Sequence, residues 1–281
     1  IHCSNADGSF MDKTINIDER LTELKSQSEF ELSWTDYIMC GYSAAVSILT
    51  SLLPPSRSSL LSSSALSICI YVQGTIPMGS GLSSSSSLVV ATALSLYCLL
   101  SDGENPSSMK VVIDCCVDAE RLIGTMGGGM DQTVSCLGRQ GKALHISTYP
   151  ELSVEEVNLP AKTALILANS LVSSEKAAGS KLLYNTRVVE CQMSAIILAI
   201  MMGCSPLELQ EIKTLRHAEE YFMKSQLTKV SSDDCSGSIC SLSHMIDLLD
   251  QYLTKDSYTL EEVNDLVNDK LVVSESMTPS F

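Results

Sequence analysis

The sequence predicts a chain that mixes strands with helices, in one large domain or two. Three observations lead there. The 281 residues are enough for a sizeable core. Apolar residues make up 45%, which fits a globular chain and excludes a mostly disordered one. Strand-like runs appear before about residue 160, and the sequence turns mainly helical beyond about residue 185.

Residues 35–53, TDYIMCGYSAAVSILTSLL, have the apolar spacing of an amphipathic helix. PPSRSSLLSSS, with prolines and no glycine, reads as a surface loop. LSICIYVQG has the apolar density of a strand and stops at Gly74. Residues 88–100, LVVATALSLYCLL, are apolar all round and predict a buried helix. SDGENPSS is a turn-rich break. MKVVIDCCVDAERLIG reads as a helix with Ser107 or Ser108 as N-cap and Gly124 just past its end. After the glycine loop TMGGGM, DQTVSCLGRQGKALHIS reads as two strands joined by a Gly-flanked turn. A further strand, TALILANS, is expected at 163–170. NTRVVECQMSAIILAIMMG is a long helix. From about 205 the chain reads as mostly helical, interrupted by the polar loop SSDDCSGS, and no internal repeat is evident. The domain boundary is placed between 160 and 185, giving expected domains 1–160 and 161–281.

Charge and cysteine usage narrow the function classes. The formal charge is −15 and the pI about 4.6. So acidic a surface argues against nucleic acid and anionic membranes as partners. Eleven cysteines occur without a CxxC pair, and the four histidines are scattered, so zinc-ligand spacing is missing. Cys69, Cys98 and Cys116 lie in apolar runs and read as small buried hydrophobes. The one Asn-x-Ser acceptor, at Asn105, is disqualified by Pro106. Reduced thiols, no glycan site, no opening signal and no apolar run of about 18 residues point to a cytoplasmic location.

Chemistry is suggested at three places. In TIPMGSGLSSSSSLVV a strand leads through Gly79 and Gly81 into a helix start. That order suits an anion site: glycines admit a phosphate to the backbone, first-turn N–H groups are unpaired, and the helix dipole favours negative charge. Serine hydroxyls can donate to phosphate or ligate magnesium. No lysine follows, so this is no Walker A loop. The alternative is a serine N-cap on a buried helix. Glu120 lies four residues after Cys116 and seven after Ile113, on the apolar stripe of its helix. A buried carboxylate is costly unless paired or metal-bound; the alternative is a side chain that frays into solvent or meets a basic neighbour. Asp131 follows three glycines and is expected to open a strand. It suits a proton acceptor for a substrate hydroxyl, or an ordinary Asx turn. An anion loop, a metal-type carboxylate and a base together fit phosphoryl transfer.

GTIPMGSGLSSSSS resembles the second motif of the GHMP small-molecule kinases. WTDYIMCG, ERLIGTMGGGMDQTVSCLGRQGKALHI and LILANSLVSSEKAAGSKLLYNTRVVEC look like the galactokinase branch, including N-acetylgalactosamine kinases and plant-type galactokinases. The likeness covers most of 34–200 and continues more weakly through SYTLEEVNDLV. It implies a two-domain α+β fold: a mixed-sheet N-terminal ATP-binding domain and a ferredoxin-like C-terminal domain, each incomplete here. It implies ATP and Mg²⁺ as cofactors and a monomer that acts on a small sugar. Gly79, Ser80, Gly81, Leu82, Ser83, Ser84 and Ser85 would wrap the ATP phosphates. Ser85 and Glu120 would hold Mg²⁺. Asp131 would orient or deprotonate the anomeric hydroxyl of galactose. The Gly128 backbone and Tyr184 would contact the sugar, and Trp34 would lie near the adenine. Outside the resemblance, Trp34 reads as an ordinary core residue and Tyr184 as a helix-entry residue packing on the preceding loop. The family's first motif, with its arginine, and its third, glycine-rich motif do not appear. The chain is therefore expected to be a fragment or truncation without normal catalysis, since one charged contact in phosphoryl transfer can be worth on the order of 10³-fold. N-acetylgalactosamine kinase, a non-catalytic sugar/ATP sensor and a plain interaction protein are the rival readings. The intact set of Ser83–Ser87, Glu120 and Asp131 favours an enzyme ancestor.

Overall fold

The computed structural model describes residues 1–6, 8, 10–26, 32–54, 67–168, 180–227, 243, 246–251, 255, 257–259, 261–263 and 265. Two compact units divide the chain, Ile1–Asn185 and Thr186–Phe281. In the first, β1 (His2–Asn5) pairs antiparallel with β2 (Lys13–Thr14) and parallel with β3 (Cys69–Val72), a mixed three-stranded sheet in the order β2–β1–β3. Cys3 is fully buried at its centre, opposite Ile70 of β3 and Lys13 of β2.

Helices build the rest of this unit's core. α1 (Ile17–Lys25) starts at Asn16, whose side chain accepts the Asp18 N–H at 3.2 Å. α2 (Trp34–Leu52) opens on a capping box in which Ser33 and Asp36 each satisfy the other's backbone. α3 (Ser84–Leu100) and α4 (Met109–Glu120) both pack against α2 and against each other. Of the two serines read as a cap for α4, Ser108 does the work: its hydroxyl accepts the Val111 N–H at 3.4 Å. A 3₁₀ turn, Arg121–Ile123, tightens the end of α4, and Gly124 at φ 76° stops it as the left-handed residue the sequence predicts there. Ile38, Met39, Ile48 and Leu49 of α2 meet Val89, Ala93 and Tyr97 of α3 and Val112 and Cys116 of α4 in one apolar cluster. Each of the Ile, Met, Leu and Val side chains contributes about 1.5–3 kcal/mol on full burial. α3 is not buried all round, however: Ala91, Ser95 and Leu99 share an exposed stripe, with Leu99 65% exposed.

The α2–α3 crossing depends on Gly41. A Cβ there would lie 2.5 Å from Thr92 Cβ and 2.8 Å from the Val89 carbonyl oxygen. Helix propensity alone favours alanine over glycine by about 1 kcal/mol. Overpacking against backbone costs about 1–3 kcal/mol and decides the sign. Gly41→Ala is therefore expected to destabilise this unit in urea unfolding followed by the fluorescence of Trp34, the chain's single tryptophan. A gain in stability would mean the two helices do not meet at that glycine.

Two strand expectations are corrected. Residues 131–137 are not a strand but part of α5 (Met130–Leu137), bounded by Gly129 at φ 89° and by Gly138. Gln132 and Thr133 are buried and Cys136 half-buried, a helical spacing whose inward face is largely polar. That polarity hid the period. The second expected strand does form, as β4 (Lys142–Ser147), but its partner is β5 (Ser153–Asn158), antiparallel with Leu144 opposite Glu156. Residues 163–168 have no regular structure, and Leu165, Ile166 and Leu167 are 76%, 92% and 80% exposed. An apolar run becomes a strand only when another strand takes its hydrogen bonds, and none of the described residues pairs with it. Residues 169 and 170 of that run, the loop SSDDCSGS and most of PPSRSSLLSSS lie outside the described residues.

α6 (Ser180–Met201) begins in the first unit. In the second, α7 (Pro206–Leu209) and α8 (Leu215–Leu227) follow, with Leu198, Ala199, Leu209, Ile212, Ala218 and Phe222 in a separate core. Among the described residues no strand follows Asn158, so no ferredoxin-like layer is seen there. Among them, too, no helix is long and apolar enough to cross a membrane.

Candidate functional site

The loop after β3 turns three times through left-handed backbone, at Gly79 (φ 63°), Gly81 (φ 75°) and Ser83 (φ 59°). Ser80 steadies it by donating to the Pro77 carbonyl at 2.7 Å. The third of these residues carries a Cβ and is strained there. Ser83 occupies the N-cap position of α3, yet its side chain makes no cap hydrogen bond. This overturns the plain N-cap alternative, and the contrast with Ser108, whose hydroxyl does cap its helix, is direct. The first intrahelical bond runs from the Ser87 N–H to the Ser83 carbonyl at 3.0 Å. The N–H groups of Ser84, Ser85 and Ser86 thus have no intrahelical acceptor and no serine cap. Leu82 is 44% exposed, and Ser84 and Ser85 are half-buried in the first turn.

Glu120 closes α4 and is 3% exposed, as its place on the apolar stripe predicts. The fraying alternative is thereby excluded. Its Oε1 accepts from Gln132 Nε2 at 2.8 Å. The same nitrogen lies 3.5 Å from Ser86 Oγ on α3. Burial above all, with the Glu120 charge next, pushes up the Tyr37 phenol and the Cys40 thiol. The Cys116 thiol rises through burial first, then through Cys136, Cys115 and Glu120. The groups around the carboxylate therefore keep their protons, and no thiolate competes with it.

Asp131 is half-buried in the first turn of α5, where the helix dipole favours a carboxylate. Its carbonyl accepts from Ser135 Oγ at 2.8 Å, and Ser135 Oγ lies 3.2 Å from Ser87 Oγ. Two side-chain contacts thus fasten α5 to the start of α3, one of them running on to Glu120. The serine turn, Glu120 and the helix bearing Asp131 come together from three stretches of chain.

The glycine loop faces outward. A Cβ at Gly127 or Gly128 would meet nothing within 4 Å, and neither residue has left-handed backbone. Nothing in the described fold demands glycine at these two positions, which suits backbone kept clear for a ligand. Gly129 differs: its φ is 89° and a Cβ would lie 3.2 Å from Val117 Cγ2. Gly128 also lines a cavity of about 420 Å³ together with Lys110, Ile113 and Asp114 of α4 and Glu151 of the β4–β5 turn. Lys110 and Glu151 form an ion pair of 3.0 Å there.

Trp34 begins α2, half-buried. Its indole N–H donates to the Met11 carbonyl at 3.3 Å and its ring centroid is 6.0 Å from that of Phe10. These contacts give it a place in packing the N-terminal segment. Tyr184 lies on α6, and its side chain is outside the description. Its neighbour Asn185 donates from Nδ2 to the Gly124 carbonyl at 2.7 Å, and its buried Oδ1 has no partner among the described residues. Sequence reasoning missed Gln132 and Asn185, and took Ser86 only as part of the run Ser83–Ser87. A helical reading of 130–137 by apolar spacing would have turned Met130, Val134 and Leu137 inward and Gln132 away, whereas Met130 and Val134 are exposed and Gln132 is buried; no sequence signal marks Gln132 or Asn185.

Residues 43–139 match the family described as GHMP kinases N terminal domain. That span contains the glycine–serine loop, Glu120, Gly128 and Asp131, and leaves out Trp34 and Tyr184. The chain is similar to a galactokinase of Dictyostelium discoideum, at 29% identity over 82% of this chain and 40% of that protein. It is similar to a galactokinase of Candida parapsilosis at 28% over 92% and 50% respectively. A galactokinase of Saccharomyces cerevisiae matches at 32% over 60% and 32%. The chain spans half or less of the length of these curated relatives.

Proposed function

Because residues 43–139 carry a GHMP kinase N-terminal domain and the chain falls in the galactokinase branch of that family, we propose that it serves an ATP-dependent sugar 1-kinase acting on galactose. One observation carries the reading most: Gln132, next in sequence to Asp131, holds Glu120 and reaches Ser86. Phosphoryl transfer needs positioning and charge neutralisation more than covalent machinery, and this junction supports both.

In this reading the loop from Gly79 to Ser85 wraps the ATP phosphates, with the uncapped N–H groups of α3 pointing at them. Ser85 and Glu120 would hold Mg²⁺. The donor set suits it: a hydroxyl and a carboxylate are hard oxygen ligands, and Mg²⁺ is commonly bound by one or two carboxylates plus phosphates. When bound, the ion neutralises charge on the transferred phosphate. Asp131 orients the anomeric hydroxyl and takes its proton as the oxygen bonds to the γ-phosphorus and the bond from that phosphorus to the leaving ADP breaks. The open Gly128 backbone and Tyr184 position the sugar, and Trp34 borders the adenine.

Ligand-dependent thermal stability of the 281-residue chain tests this. Mg²⁺–ATP and galactose should each raise the melting temperature, each by the equivalent of about 2.7 kcal/mol at a hundredfold excess over its own Kd. A larger response to N-acetylgalactosamine than to galactose would move the assignment to that sugar. Binding of both ligands without phosphate transfer in any form of the protein would make it a sensor. No response to nucleotide or sugar would leave only an interaction protein.

A further inference from the structure

At the junction of α3, α4 and α5 the side chain that meets the buried carboxylate carries no charge. Gln132 is 3% exposed, as buried as Glu120 itself. A carboxylate only accepts hydrogen bonds, so the amide must turn its NH₂ end toward Glu120. That nitrogen then serves both Glu120 Oε1 at 2.8 Å and Ser86 Oγ at 3.5 Å. A lysine or arginine in the same place would neutralise the carboxylate and compete with a cation. A second acid would repel it. An apolar side chain would take this donor away from a buried carboxylate. The amide orients the charge without cancelling it. Resting on the sugar-kinase reading, we infer that Gln132 is a positioning residue, whose side-chain amide holds the Glu120 carboxylate in register with the serine turn so that it faces a nucleotide-bound divalent cation.

Partners of this kind, one step out from a metal ligand, typically govern metal affinity by 10–100-fold. The test uses the 281-residue chain with a non-hydrolysable ATP analogue. Two quantities are read: the Mg²⁺ concentration at half-maximal nucleotide-induced stabilisation, and the unliganded stability from Trp34 fluorescence. Gln132→Met, similar in size but without donors, should raise the Mg²⁺ midpoint about tenfold or more. The exchanged pair Glu120→Gln with Gln132→Glu keeps one acid and one amide in contact. It should recover unliganded stability relative to Gln132→Glu alone, yet keep the weakened Mg²⁺ response, because the charge now sits on the wrong helix.

Failure of the inference and failure of the reading beneath it look different. A parent chain that responds to Mg²⁺–nucleotide, with Gln132→Met unchanged in its midpoint, refutes the positioning role and leaves the kinase reading standing. An exchanged pair that regains both stability and the parental midpoint also refutes it, even should Gln132→Met not fold. A parent chain whose nucleotide response is absent or indifferent to Mg²⁺ sinks the reading and the inference together.

Discussion

Asparagine at position 131 should cut sugar-dependent ADP release by roughly 10²–10⁴-fold, the usual worth of a general base, in any form of the protein that phosphorylates a sugar. Asn has the size of Asp and accepts hydrogen bonds but takes up no proton at neutral pH. The local fold draws little more than the helix-dipole contribution from the carboxylate, because the Ser135 hydroxyl holds the Asp131 carbonyl rather than its side chain. Gly129 and Gly138, which bound α5, are untouched as well. Binding of Mg²⁺–nucleotide should therefore change by less than about twofold, so that the loss falls on turnover. Near-normal turnover in Asp131→Asn would show that the proton leaves by another route. Turnover and nucleotide binding lost together would place Asp131 among the phosphate contacts instead. Glu120→Gln gives the complementary pattern, since its removal should weaken the Mg²⁺ dependence. A metal titration identical to the parent's would take Glu120 out of the cation site.

What the sequence showed of this site follows from which signals are local. Glu120 was legible because its neighbours on the helix, Cys116 and Ile113, are apolar at spacings of four and seven. Its burial needed no knowledge of the rest of the chain. Ser108 and Gly124 were legible as the ends of α4 for the same reason: cap and stop chemistry is written within one turn. Gln132 was hidden because Thr133 and Val134 are β-branched and the inward residues of α5 are polar, so alternation seemed to fit as well as a helical period. Ser83 was read for its hydroxyl, while its left-handed backbone, which leaves the helix start uncapped, depends on how the loop enters α3. Residues 163–168 had the composition of a strand but not the partner that makes one. A pairing such as that of Arg20 with Asp36, sixteen residues apart across a loop, leaves no mark in either segment.

That pairing sets the largest stability effect expected of one substitution. Arg20 of α1 clasps Asp36 of α2 with both arms of its guanidinium, Nε to Oδ1 and Nη2 to Oδ2, each at 2.7 Å. Asp36 is fully buried, and its Oδ2 also accepts the Ser33 N–H at 2.7 Å as part of the α2 cap. The hydrogen bond to Asp36 is the chief reason the Arg20 guanidinium is held even more firmly charged than usual. Removing Arg20 strands a carboxylate in the interior, which typically costs 3–5 kcal/mol. Arg20→Ala should lose about that much in urea unfolding read at Trp34, two residues from Asp36. Arg20→Lys should recover only part of it, because an ammonium cannot match both oxygens. Asp36→Ala gives up the cap as well, about 1 kcal/mol by itself. The double variant should nonetheless be well short of additive, by some 1–3 kcal/mol, since no buried charge is left alone. A loss below about 1 kcal/mol in Arg20→Ala would mean that the pair behaves as a solvated surface contact. The clasp matters beyond stability because α1 and α2 both pack on the Arg121–Ile123 turn that follows Glu120. Whatever holds those two helices together also fixes the end of α4, and with it the position of the carboxylate on which the proposed cation site depends.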